Sequence, residues 1–189
     1  MIGEARAMEI VGTPEVADAL RKYKYVTGTL FHTDASDDYT YQKEFCLLYK
    51  MDQGYSEKFM NAFFSYMEKM KAESGISFRD ALEEFQKVEG KNEMVAASLL
   101  VHTVNPRFPI WNPELAMDLF GIKNPEEDAS IERCCKVYED FSNAFYAYAS
   151  SPEGNVLVHA FDAKFPSAEV PEFIKVAFIV WADIADKAK

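Results

Sequence analysis

From Tyr41 onward, apolar residues recur at three- and four-residue steps, and the runs end at glycine, proline or a capping residue, which is the signature of successive helices. In SEKFMNAFFSYMEKMK, Ser56 stands as an N-cap, and Phe59, Met60, Phe63, Phe64, Met67 and Met70 form one broad stripe for a core. After a break at Ser74-Gly75, a second helix is predicted from Ser77. Its apolar side is Phe78, Ala81, Leu82, Phe85 and Val88, and Gly90 ends it. A third runs from Asn92 to Val104 and stops at Asn105-Pro106. PRFPIWNPEL then has prolines at 106, 109 and 113, which predict a stiff, extended connector until Pro113 opens a short helix, Leu115 to Phe120, closed by Gly121. A long helix is expected from Ser130 to Ala149, with Ile131, Cys135, Tyr138, Phe141, Ser142, Phe145 and Tyr148 along one face. Ser151-Pro152 and Gly154 are expected to break it, leaving Asn155 to Phe161 as another turn or two. The last helix, Pro171 to Lys187, is apolar nearly all round at VAFIVWA and is expected to lie deep.

The first forty residues read differently. Thr13 as N-cap and Pro14 in the first turn predict a short helix with Val16, Ala19 and Leu20 on one face. KYKYVTGTLFHTD is rich in β-formers around a glycine and suggests a small strand or extended arm. TDASDDYT offers Asp34, Asp37 and Asp38, but a calcium loop from Asp34 would need glycine where Tyr39 stands and a carboxylate where Phe45 stands, so a solvated turn or helix cap is expected. No repeat or linker divides the chain. The expectation is an all-α fold, a single helical domain over 1–189 with residues 1–40 as a candidate flexible arm.

Composition narrows the class. Three cysteines, two of them adjacent, make neither a disulfide framework nor zinc-ligand spacing, and fit reduced thiols in the cytoplasm. The acidic N-terminus does not read as a signal peptide, and the longest apolar run, Val176 to Ala182, is too short to span a bilayer. No metal or cofactor motif is present, so no cofactor and no membrane are expected. The net charge of −11 argues against a generic nucleic-acid coat, which works by neutralising phosphates. The charge is uneven, however. Residues 40–111 hold nine Lys or Arg against ten Asp or Glu, while residues 112–189 hold seven against fourteen, which leaves room for a local neutral or basic face.

Two helices joined through VEGKN form a hairpin whose second helix begins with exposed N–H groups. Those groups and the helix dipole suit a phosphate, although an ordinary helix-helix turn has the same spacing. VEGKNEMVAASLL resembles the helix-hairpin-helix of the DNA glycosylase superfamily, in which the hairpin commonly reads L-P-G-V-G followed by x-K-T-A and is succeeded by a loop of the kind F-P-V-D. In that register Val88 takes the leucine, Gly90 and Asn92 the two glycines, Met94 the lysine and Ala96 the alanine. Phe108-Pro109-Ile110 resembles the F-P-V, and Trp111 or Asn112 lies near the aspartate; position 112 is 18 residues beyond Met94, similar to the family's separation. The pieces SLLVHTVNPRFPIWN, FDAKFP and FIVWA also resemble an uncharacterised bacterial all-helical family, which implies a shared fold and no particular reaction.

The departures bear on chemistry. In the glycosylases the lysine attacks the sugar and the aspartate supports the developing charge; a thioether at Met94 and an amide at Asn112 can do neither, which argues against glycosylase catalysis. The resemblance therefore implies a noncatalytic nucleic-acid or ligand binder, with Gly90, Lys91, Asn92, Arg107, Trp111 and Asn112 as candidate contacts. Lys91 and Arg107 would meet phosphates, and Trp111 would stack on a base unless it is buried. Two alternatives stay open. One is a divergent base-excision enzyme using another carboxylate, Asp118, which with Glu114 sits one turn apart on a helix, or using His102 as acid-base group. The other is a protein-interaction module, suggested by the acidic C-terminal half.

Overall fold

The computed structural model describes residues 2–51, 54–72 and 75–187. The expected break at Ser74 lies outside these residues. Among them the chain is all-α, with ten α-helices, one 3-10 turn and no strand. The helices are α1 Glu4–Val11, α2 Pro14–Thr29, α3 Tyr39–Tyr49, α4 Glu57–Lys71, α5 Phe78–Glu89, α6 Met94–Val104, α7 Pro113–Phe120, α8 Ile131–Ala149, α9 Pro152–Lys164 and α10 Glu172–Lys187. By its contacts the chain divides into two compact units: residues 1–21, 113–123 and 140–189 form the first, and residues 22–112 and 124–139 the second.

In the first unit, α1, α9 and α10 pack on one another, and α7 packs on α10. Its core includes Ala7, Ile10 and Val11 of α1, Leu157 and Phe161 of α9, and Val176, Phe178 and Ile179 of α10. Arg6 ties α1 to α10 through Asp183 at 3.0 Å and Asp186 at 2.7 Å. Gly154 does not break a helix. It lies within the first turn of α9, donating its N–H to the Ser151 cap at 3.1 Å, and a Cβ there would stand 2.3 Å from the Tyr148 carbonyl oxygen. Only glycine allows so close an approach of the two backbones.

In the second unit α4, α5 and α6 pack mutually. The stripe of α4 meets α5 as an aromatic cluster, with Phe63 5.4 Å from both Phe45 and Phe85, and Phe59 5.1 Å from Phe85, ring centre to ring centre. Ser56 and Ser77 cap α4 and α5 by accepting the N–H groups of Phe59 and Asp80, each at 3.1 Å. Phe78 stacks on Tyr138 of α8 at 3.9 Å. Of α8, residues 131–139 belong to this unit and residues 140–149 to the first; its buried residues are Cys134, Val137, Tyr138, Phe141, Phe145 and Ala149, a face turned slightly from the expected one through Cys135 and Ser142.

The strand or arm expected within residues 22–34 is instead the end of α2 followed by a 3-10 turn, Leu30–His32. Tyr23, Val26 and Leu30 are buried at three- and four-residue steps, so burial of a helical face outweighs the local β preference. Residues 1–40, expected as a candidate arm, hold α1, α2 and the 3-10 turn, and contribute these core side chains. The Lys71 ammonium holds the 3-10 turn through the carbonyls of Leu30, at 3.2 Å, and Thr33. Asp34 accepts from the Ser36 hydroxyl at 2.6 Å and the Ser36 N–H at 2.9 Å, and Asp38 accepts from the Thr33 hydroxyl and caps α3 by accepting from the Tyr41 N–H at 3.0 Å; these bonds, the hydroxyls first, hold both carboxyls below the usual aspartate range.

Candidate binding site at the hairpin

The hairpin between α5 and α6 lies in the second unit. Gly90 adopts the left-handed conformation, φ 73°, and returns its N–H to the Gln86 carbonyl at 2.8 Å, which ends α5 as glycine is suited to do. Asn92 acts as a clasp. Its amide donates to the carbonyls of Glu127 at 3.2 Å and Ala129 at 2.7 Å, and its oxygen accepts from Gln86 at 3.2 Å. The exposed residues Glu126, Glu127 and Asp128 are thereby tied to the hairpin.

α6 starts at Met94 with no side-chain cap, and its preceding residue, Glu93, is the feature that the sequence reading missed. Glu93 is 8% exposed. Its carboxylate receives the Lys91 ammonium at 3.0 Å and the Tyr55 hydroxyl at 3.1 Å. A carboxylate this close to the positive end of a helix answers the dipole from within the chain. Lys91 feels Glu93 first and then Glu127 and Glu89, and its ammonium is held above the usual lysine range. The Tyr55 phenol is raised too, by burial and then by Glu93.

Met94 is 5% exposed and belongs to the core. Trp111 is 1% exposed, so its ring has no open face for a base; its N–H is the backbone's link to α6, donating to the Ser98 hydroxyl at 2.9 Å. The 105–112 connector is pinned twice more, by the Tyr138 hydroxyl donating to the Pro109 carbonyl at 2.7 Å and by His102 Nδ1 at 2.7 Å from the Phe108 carbonyl. A carbonyl only accepts, so Nδ1 carries the proton and Nε2 bears the lone pair. That Nε2 is buried without a hydrogen-bond partner among the described residues. Burial pushes the imidazole down to about 4, the Phe108 bond opposing this in part, and the ring has no exposed surface with which to meet a substrate. Arg107 is exposed and Asn112 half-buried.

Asp118 belongs to the first unit. With Pro113, Glu114 and Met117 of α7 and Ile184 and Lys187 of α10 it lines a shallow open groove, in which Lys187 is engaged by Asp183 at 2.7 Å. Among the described residues no group of three or more His, Cys, Asp or Glu side chains is placed to hold a metal ion, and no helix is long and apolar enough to cross a membrane. Cys134 is buried and Cys46 and Cys135 half-buried, all as free thiols. Compared with known family models, curated proteins and solved structures, the chain matches none.

Proposed function

We propose that this chain is a noncatalytic binding protein that keeps the shape of a helix-hairpin-helix scaffold without its chemistry. The supporting observation is the hairpin itself: Gly90 makes the left-handed turn, while Met94 is packed in the core and Lys91 is bound to Glu93. In that reading the glycosylase resemblance describes a scaffold. The charge around the hairpin narrows the partner. Asn92 ties the exposed Glu126–Asp128 segment to the same turn, so a phosphate backbone would approach carboxylates. A basic segment of another protein fits this face better than nucleic acid. Free thiols suit a reduced compartment such as the cytoplasm.

Nucleic acid is the second reading, favoured by the uncapped start of α6 beside an exposed Gly90. Fluorescence-anisotropy titrations separate the two. Labelled duplex, single-stranded and abasic-analogue DNA are compared with a labelled lysine-rich peptide, at low and physiological salt. Peptide binding that weakens with salt and is lost in Glu126→Gln/Glu127→Gln/Asp128→Asn, with no DNA binding, is expected. Lesion-preferring DNA binding abolished by Gly90→Ala/Lys91→Ala/Arg107→Ala would replace this reading with the second. Release of a base from damaged oligonucleotides would overturn the noncatalytic reading altogether.

A further inference from the structure

We draw no further inference here: the strongest candidate, the acidic Glu126–Asp128 segment that Asn92 ties to the hairpin ahead of α6, belongs to the binding face already described, and carboxylates beside a helix start name no further ligand or regulator by themselves.

Discussion

Two glycines show how one residue type serves opposite needs. At Gly90 a Cβ would meet nothing within 4 Å, and the constraint is the positive φ; Gly90→Ala should cost about 1–2 kcal/mol of left-handed strain, measured by urea unfolding. At Gly154 no left-handed φ is involved, and the constraint is space, with backbone oxygens of Tyr148 and Ala149 at 2.3 and 2.5 Å from the Cβ position. Gly154→Ala should therefore be the costlier change, by at least about 2 kcal/mol, because backbone must move. His102 carries a different residue-scale prediction. Its folded value of about 4 lies below the ordinary 6.5, so on acidification the unfolded chain takes up a proton before the native one does. The native state accordingly loses stability as pH falls from about 6.5 toward 4. Between pH 7 and pH 5 this single group should account for about 2 kcal/mol. The loss should be smaller by that amount in His102→Asn, whose amide can still donate to the Phe108 carbonyl; equal losses in both proteins would sink the assignment.

At the scale of elements, the α5–α6 hairpin is held from two sides. Beneath it lies the aromatic cluster, in which Phe63 is fully buried and touches the rings of Phe45, Phe59, Phe64 and Phe85. Phe63→Ala should cost about 3–5 kcal/mol, the loss of a large buried side chain plus the cavity it leaves. On the exposed side the Asn92 clasp matters instead. Asn92→Ala removes three hydrogen bonds and should lower stability by about 1–2 kcal/mol, since the released carbonyls of Glu127 and Ala129 can turn to water. Thermal unfolding of the two variants gives the ranking. The apolar stripes of α4 and α5 were legible in the sequence because a helical period survives any tertiary arrangement. The rotation of α8 was not, since Cys134 and Cys135 are neighbours and only the packing partners decide which faces inward.

At the scale of the whole molecule, charge governs what can approach. With a net charge of −11, the protein should repel polyanions at long range, more strongly as salt is lowered. Wild-type protein is expected to show no duplex-DNA binding at physiological salt. The Glu126→Gln/Glu127→Gln/Asp128→Asn variant, lacking three of these charges, should lose affinity for a lysine-rich peptide by several-fold at low salt and much less at high salt. Unchanged peptide affinity in that variant would place any partner elsewhere.

The sequence by itself determined the all-α class, the caps at Ser56 and Ser77 and the glycine stop at Gly90, because each follows from local geometry or from a period of 3.6 residues, whereas the connector expected to run extended to Pro113 turns first, with the Phe108 N–H donating to the Asn105 carbonyl at 3.1 Å. It also places a methionine at position 94 and an asparagine at position 112. Only the tertiary structure decided what surrounds them. It buried Trp111 and His102, converted the β-rich stretch after Tyr23 into helix, and joined Asn92 to carbonyls 35 and 37 residues away. Burial and charge placement of this kind depend on contacts between distant segments, which no local pattern encodes. Hence Glu93, an ordinary glutamate in the sequence, becomes the buried carboxylate at the head of α6.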